Sequence, residues 1–230
     1  MAVARKIPCL VEDVTDHGEH VYSVALRPFA PVPRFAPGQF LHLALDPYAP
    51  DGFWPESRVF SIASSPSERD RLAITYAVKG VFTTRMEREL APGRGAWVKL
   101  PYGEFEVDRT RDAVLFAGGT GITAFTAFLQ SLAPDHPHRV ALFYGARTER
   151  LFVYRALVES CAGSAPALAA RFVCEETHGR LDVAHAWPLI SELHRPAFYL
   201  SGPPAMLAAL TDQLVAHGVA PEAVRIDAWE

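Results

Sequence analysis

"FAGGTGITAF", residues 116–125, places Gly118, Gly119 and Gly121 between an apolar run and a helix-like segment. Flexible residues at a strand-to-helix handover usually let a negatively charged group approach the backbone closely. The helix that follows offers unpaired N–H groups and the positive end of its dipole, and both suit a pyrophosphate. The same pattern also serves a tight, closely packed turn with nothing bound.

Around this stretch the chain alternates. From residue 112 onward the apolar runs "AVLFAG", "RVALFYGA", "LAARFVC", "PAFYLSG" and "AVRIDAW" alternate with helix-like segments near 122–133, 151–162, 184–193 and 204–217. Alternating strand and helix predicts a doubly wound parallel sheet. Ligands in such sheets sit at the carboxyl ends of the strands. That singles out Gly118–Thr123, Gly145–Arg147, Cys174–Thr177 and Ser201–Met206. "SGPPAM", 201–206, also follows an apolar strand and opens a helix, with Pro204 in the first turn. Two such loops at one sheet edge favour a ligand crevice over a mere turn.

Upstream the rhythm is different. "HVYSVALRP", "GQFLHLAL", "VFSIAS", "LAITYAV" and "AWVKL" are rich in β-branched and aromatic residues, and turn signals such as "APG", "SSPSE" and "PGRG" separate them. This spacing predicts an antiparallel barrel, interrupted by a helical "TTRMEREL". Within "RVFSIAS", alternation puts Arg58 and Phe60 on one face and Val59 and Ser61 on the other. "KGVFTTRM", 79–86, reads as a glycine turn opening a short helix, either an anion site or an ordinary cap at Thr83 or Thr84. The change of rhythm falls near "EVDRTRD", 106–112, so the expected domains are residues 1–108 and 109–230.

Composition narrows the function classes. The chain has 230 residues, half of them apolar, and a net charge of −4. With no basic tract, nucleic acid is not an expected partner. Cys9, Cys161 and Cys174 have no metal-like spacing, so neither an iron–sulfur centre nor another metal site is expected. They read as reduced thiols of a cytoplasmic protein. The start, "MAVARKIPCLVEDV", lacks the apolar core of a signal peptide. Ala113–Ala133 is uncharged and long enough to span a bilayer. Its glycines and polar residues instead predict a buried strand, a loop and a half-buried helix.

Together these segments resemble the ferredoxin–NADP reductase family of flavoproteins, in the family's order along nearly the whole chain. Arg58-Val59-Phe60-Ser61 is similar to its Arg-x-Tyr-Ser flavin motif, and Gly80-Val81-Phe82-Thr83 to its Gly-x-x-Ser/Thr pyrophosphate loop. "FAPGQF", "PYGEF", "GGTGITAF", "YGAR" and "SGPPAM" match further motifs, with Ala124 in place of a Pro and Ser201 in place of a frequent Cys. The resemblance implies an antiparallel Greek-key flavin-binding barrel followed by a nucleotide-binding α/β domain.

It also implies roles. Arg58 would pair with the flavin diphosphate, Phe60 would stack on the flavin ring, and Ser61 would lie near the flavin atom that receives hydride. Thr83 and its neighbours Lys79, Gly80, Val81, Phe82 and Thr84 would hold the diphosphate. Gly118, Gly119, Thr120, Gly121 and Thr123 would cradle the nicotinamide dinucleotide. Ser201, Gly202, Pro203 and Met206 would line the nicotinamide pocket, with Arg147 and Glu175 at the ribose end. Asp227 would stand in for the family's terminal Glu, and Trp229 would cover the other flavin face. Ser61, Ser201 and Asp227 are thus the expected catalytic residues.

The implied activity is electron transfer from NAD(P)H through FAD, favoured over FMN, to a separate acceptor, such as an iron–sulfur or haem protein or a small molecule. Glu175 and Glu176 favour NADH, because two carboxylates oppose a 2′-phosphate. A free-flavin or ferric reductase is the alternative, and the likeness to ferric reductases leaves room for a membrane-bound partner. A non-catalytic regulatory or assembly subunit is the reading from another class. The intact glycine loops oppose it.

Overall fold

A computed structural model describes residues 3–48 and 52–227 of the chain. They divide into two compact units, residues 1–104 and 105–230.

The first unit holds six strands: β1 (Arg5–Gly18), β2 (Val21–Pro28), β3 (Phe40–Ala44), β4 (Ser57–Ser61), β5 (Leu72–Ala77) and β6 (Gly95–Tyr102). Their order is β4-β3-β6-β1-β2-β5, with antiparallel pairing, and the sheet closes into a nearly complete barrel. Its interior is filled by alternate residues, among them Ile7, Leu26, Leu41, Leu43, Ile74 and Val98. Among its described residues the one α-helix, α1 (Val81–Glu89), follows β5 and buries Phe82 and Met86.

The 14-residue β1 is the element that the sequence pattern does not announce. Its apolar alternation stops after Val11, and a register shift between Val11 and Asp13 re-aims the strand. The second half carries Glu12, Asp13, Asp16 and His17, and pairing with β2 alone holds it extended.

The second unit is a five-stranded parallel sheet made of β7 (Ala113–Gly118), β8 (Val140–Ala146), β9 (Leu168–Cys174), β10 (Ala197–Ser201) and β11 (Val224–Asp227). Its order is β11-β10-β7-β8-β9. The intervening helices are α2 (Thr123–Gln130), α3 (Arg155–Ser164), the single turn α4 (Glu175–His178), α5 (Val183–Ile190) and α6 (Pro204–Ala216). Helices α5 and α6 cover one face, packing Val183, Ile190, Leu207, Leu210 and Leu214 on Val114, Phe116, Phe143 and Leu200. α2 and α3 pack on each other.

The uncharged stretch Ala113–Ala133 is therefore β7, a 3-10 turn at Gly119–Ile122, α2 and a short tail. The helix is more deeply covered than expected, because Thr123 to Leu129 are all buried. Among the described residues, no helix is long and apolar enough to cross a membrane.

Candidate functional site

In the second unit, β7, β8 and β9 run in order to one side, and β10 then returns on the other side of β7. The direction of winding reverses between β7 and β10, which is the switch point at which sheets of this kind take ligands at their strand ends. Ala117 stands opposite Ser201 across this pair. "GGTG" and "SGPP" are thus neighbours in space, 80 residues apart in sequence.

The three glycines of the first loop do different work. A Cβ on Gly118 would lie 2.5 Å from Met206 Sδ and 2.9 Å from Pro203 Cδ. A Cβ on Gly121 would lie 2.3 Å from the Ser201 carbonyl oxygen. Both are therefore glycine because the two loops interlock. Gly202 completes the contact: its φ is +157°, and its own Cβ would come within 3.1 Å of Gly118. Gly119 alone has the signature expected of a ligand cradle. It has a φ of +53°, and a Cβ there would meet nothing within 4 Å. Gly118 and Gly121 are thus required by packing between the loops, and Gly119 is the one of the three that borders open space.

Thr123 is buried, and its hydroxyl donates to the Thr120 carbonyl at 2.8 Å. It closes the turn into α2, and the half-buried residues of the loop are Gly119, Thr120 and Gly121. Met206 is half-buried against Gly118, and the exposed Pro203 caps α6, which has Pro204 at its first position.

Ser201 and Asp227 form one buried pair. Both end their strands in register, and the Ser201 hydroxyl donates to Asp227 Oδ2 at 3.0 Å. They are 1% and 5% exposed, so the carboxylate is held by a hydrogen bond that breaks off from bulk water. Sequence order does not reveal this pairing. Trp229 lies outside the described residues.

At the far end of the sheet, Arg147, Glu175 and Glu176 are all exposed, and the Glu176 N–H donates to the Arg147 carbonyl. Glu175 is engaged by Arg180, whose Nε donates to Oε1 at 3.0 Å. Arg180 was not anticipated. Its guanidinium offsets part of the carboxylate charge at this end of the sheet.

In the first unit a second constellation forms. The exposed Arg58 sits on β4 with its guanidinium carbon 5.2 Å from the centre of the Phe82 ring. This cation–π contact brings the β4 arginine to the first turn of α1. Thr84 makes the first helical bond, to Gly80, so the N–H groups of Val81, Phe82 and Thr83 precede the hydrogen-bond ladder. A guanidinium beside open N–H groups at a helix start suits a diphosphate. The Thr83 hydroxyl does not point outward. It accepts from the Lys79 and Gly80 N–H groups and donates to the Gly80 carbonyl. The hydroxyl therefore braces the turn into α1, and Thr83 faces the helix start through its N–H.

Phe60 packs edge-on against Tyr76, 6.1 Å between centroids, and Ser61 is buried at the end of β4, opposite Phe40. Val59 is half-buried. The sequence reading missed Glu56, whose Oε1 accepts from Arg58 Nη2 at 3.1 Å. An i, i+2 spacing along an extended chain was the available signal. Among the described residues, no group of His, Cys, Asp or Glu is placed to hold a metal ion.

Residues 115–212 match the family of oxidoreductase NAD-binding domains. The chain is 32% identical over 152 residues to a probable dihydroorotate dehydrogenase B (NAD(+)) electron transfer subunit of Methanopyrus kandleri, covering 66% of this chain and 53% of that protein. It is 30% identical over 211 residues to the tetrachlorobenzoquinone reductase of Sphingobium chlorophenolicum, covering 88% and 62%. It spans less than two thirds of either relative. The crystal structure of a cytochrome P450 reductase from Amycolatopsis matches its fold with a TM-score of 0.84 at 22% identity, over 99% of this chain and 70% of that one.

Proposed function

We propose that the chain, which matches the oxidoreductase NAD-binding domain over residues 115–212 and shares the two-domain fold of the reductases above, is a ferredoxin–NADP reductase-like flavoprotein that passes electrons from NADH through FAD to a separate acceptor. Gly119 carries this reading: its backbone is left-handed and borders open space at the switch point of the sheet. The flavin is assigned to the first unit, residues 1–104, and the nicotinamide dinucleotide to the second, residues 105–230, a boundary four residues earlier than the change of sequence rhythm.

When bound, FAD would supply the chemistry of taking two electrons as hydride and releasing them one at a time. The protein's part is binding and orientation. Arg58 and the first turn of α1 would hold the diphosphate, and Phe60 would flank the ring. Gly119 and Thr120 would let the dinucleotide approach the start of α2. Ser201, fixed by Asp227, would line the nicotinamide pocket without a mobile hydroxyl. Burial of that pair supports a role in excluding water from the reacting atoms.

NADH is favoured through Glu175 and Glu176, with Arg180 as the counterweight. The acceptor is proposed to be a second protein bearing iron–sulfur or haem, or a small oxidant.

The test is direct. The purified protein should be yellow, release FAD on heating, and bleach when NADH is added without oxygen. With ferricyanide as acceptor, kcat/KM should be higher for NADH than for NADPH. A colourless protein that takes up no flavin would overturn the assignment. A preference for NADPH would put Arg147 and Arg180, and not the glutamates, at the ribose.

A further inference from the structure

We propose that Glu56 sets the flavin affinity of this protein by competing with the flavin diphosphate for Arg58. The proposal rests on the reading of Arg58 and the first turn of α1 as the diphosphate site.

The outer edge of the Arg58 guanidinium is committed to two protein acceptors. Nη2 donates to Glu56 Oε1 at 3.1 Å, and Nη1 donates to the Ser57 carbonyl at 2.9 Å. That edge carries one of the two parallel N–H pairs by which a guanidinium clamps a phosphate, the other being Nε–H with the second Nη2–H. A diphosphate gripping it must draw Nη2 away from Glu56 or share it. Glu56 is tethered two residues away, so its carboxylate stays close to the incoming anion. A like charge at that range opposes binding.

The pair is a competitor and not a lock. The two side chains are 52% and 59% exposed, and exposed ion pairs open at little cost. Phe82 meanwhile keeps the guanidinium over the start of α1, so the arginine stays aimed whichever acceptor it takes. The expected result is a flavin that is held but exchanges with free flavin. Charge is the lever, so salt should weaken the competition.

The experiment titrates flavin-free full-length protein with FAD at low salt and at about 0.5 M salt, following flavin fluorescence. Wild type, Glu56→Gln and Arg58→Ala are compared. Glu56→Gln is expected to bind FAD about tenfold more tightly than wild type at low salt, with the gain shrinking at high salt. Arg58→Ala is expected to bind about ten- to a hundredfold more weakly. If Glu56→Gln binds no tighter than wild type while Arg58→Ala loses affinity, the diphosphate site stands and the competition does not. Weaker binding by Glu56→Gln would show that Glu56 preorganises the arginine. If Arg58→Ala binds FAD as wild type does, the site reading fails and takes the proposal with it.

Discussion

At the scale of single residues, neighbouring glycines separate into kinds with different consequences. Gly119→Ala adds a methyl into open space and meets only the backbone preference at φ +53°. The expected cost is about 1 kcal/mol of stability. The expected functional effect is a raised KM for NADH with flavin content unchanged. Gly121→Ala drives a methyl into the Ser201 carbonyl, 2.3 Å away, and must push the two loops apart. The loss should be about 1–3 kcal/mol, with NADH binding lost as well. Thermal melting and NADH kinetics on the two variants check both, and equal behaviour would mean that the loops do not interlock. Tyr76 offers a contrasting case. Its hydroxyl is buried with no hydrogen-bond partner, under a ring stacked on Tyr22 and packed against Phe60. Burial pushes its pKa well above the ordinary value of 10. Tyr76→Phe should leave the melting temperature unchanged or raise it, because it deletes an unsatisfied group and keeps the ring.

At the scale of elements, helix α1 matters most, because its first turn forms half of the proposed diphosphate site. It is fastened through its middle and its last turn. Arg85 grips Asp46 through both Nη atoms, at 2.8 and 2.6 Å, and Glu89 through Nε at 2.7 Å. These bonds hold both carboxyls below their ordinary range. Glu87 accepts from Tyr22 at 2.8 Å and lies 2.7 Å from His20 Nδ1. The His20 hydrogen bond, then that of Tyr22, lowers the Glu87 pKa from 4.5, and the same carboxylate raises that of His20 from 6.5. The signs oppose. The histidine's contribution is complete below pH 6.5 and fades as pH rises through its raised folded value. The glutamate's is complete above pH 4.5 and fades as pH falls through its lowered folded value. The His20–Glu87 fastening should therefore be tightest between those two limits. Melting curves across pH should show an alkaline decline that His20→Ala removes and an acid decline that it lessens but does not abolish, because Tyr22 still holds Glu87. A variant with the wild-type alkaline decline would mean that His20 does not hold α1.

At the scale of the whole molecule, the second unit carries its own core and begins earlier than the sequence rhythm suggests. Phe105 lies 5.9 Å, centroid to centroid, from both Phe125 and Tyr199, and the Asp108 N–H donates to the Tyr199 hydroxyl at 2.8 Å. Tyr199 is fully buried. A fragment of residues 105–230 should fold alone, melt cooperatively and bind NADH without flavin. One starting at 109 loses the aromatic cover over Tyr199 and should melt lower. Circular dichroism of the two fragments decides this, and identical melting would remove Phe105 from the second unit's core.

The sequence alone determined the class of each half, because strand and helix periodicity are local: side chains two or four residues apart share a face whatever lies beyond. It also located the loops, since glycine and proline act on their own backbone. The aromatic and β-branched runs marked five of the six barrel strands, while β1 stayed hidden, its polar half held only by pairing with β2. The tertiary structure decided what each loop residue is for. Gly118 and Gly121 are constrained by a loop 80 residues away, Ser201 by a strand 26 residues on, and Arg58 by both Phe82 and Glu56. Those constraints are contacts between segments brought together by the core, and a one-dimensional pattern carries no distance between them. The same reason makes braces of the Thr83 and Thr123 hydroxyls: a hydroxyl bonds the nearest carbonyl or N–H that the folded backbone presents, and only the fold says which that is.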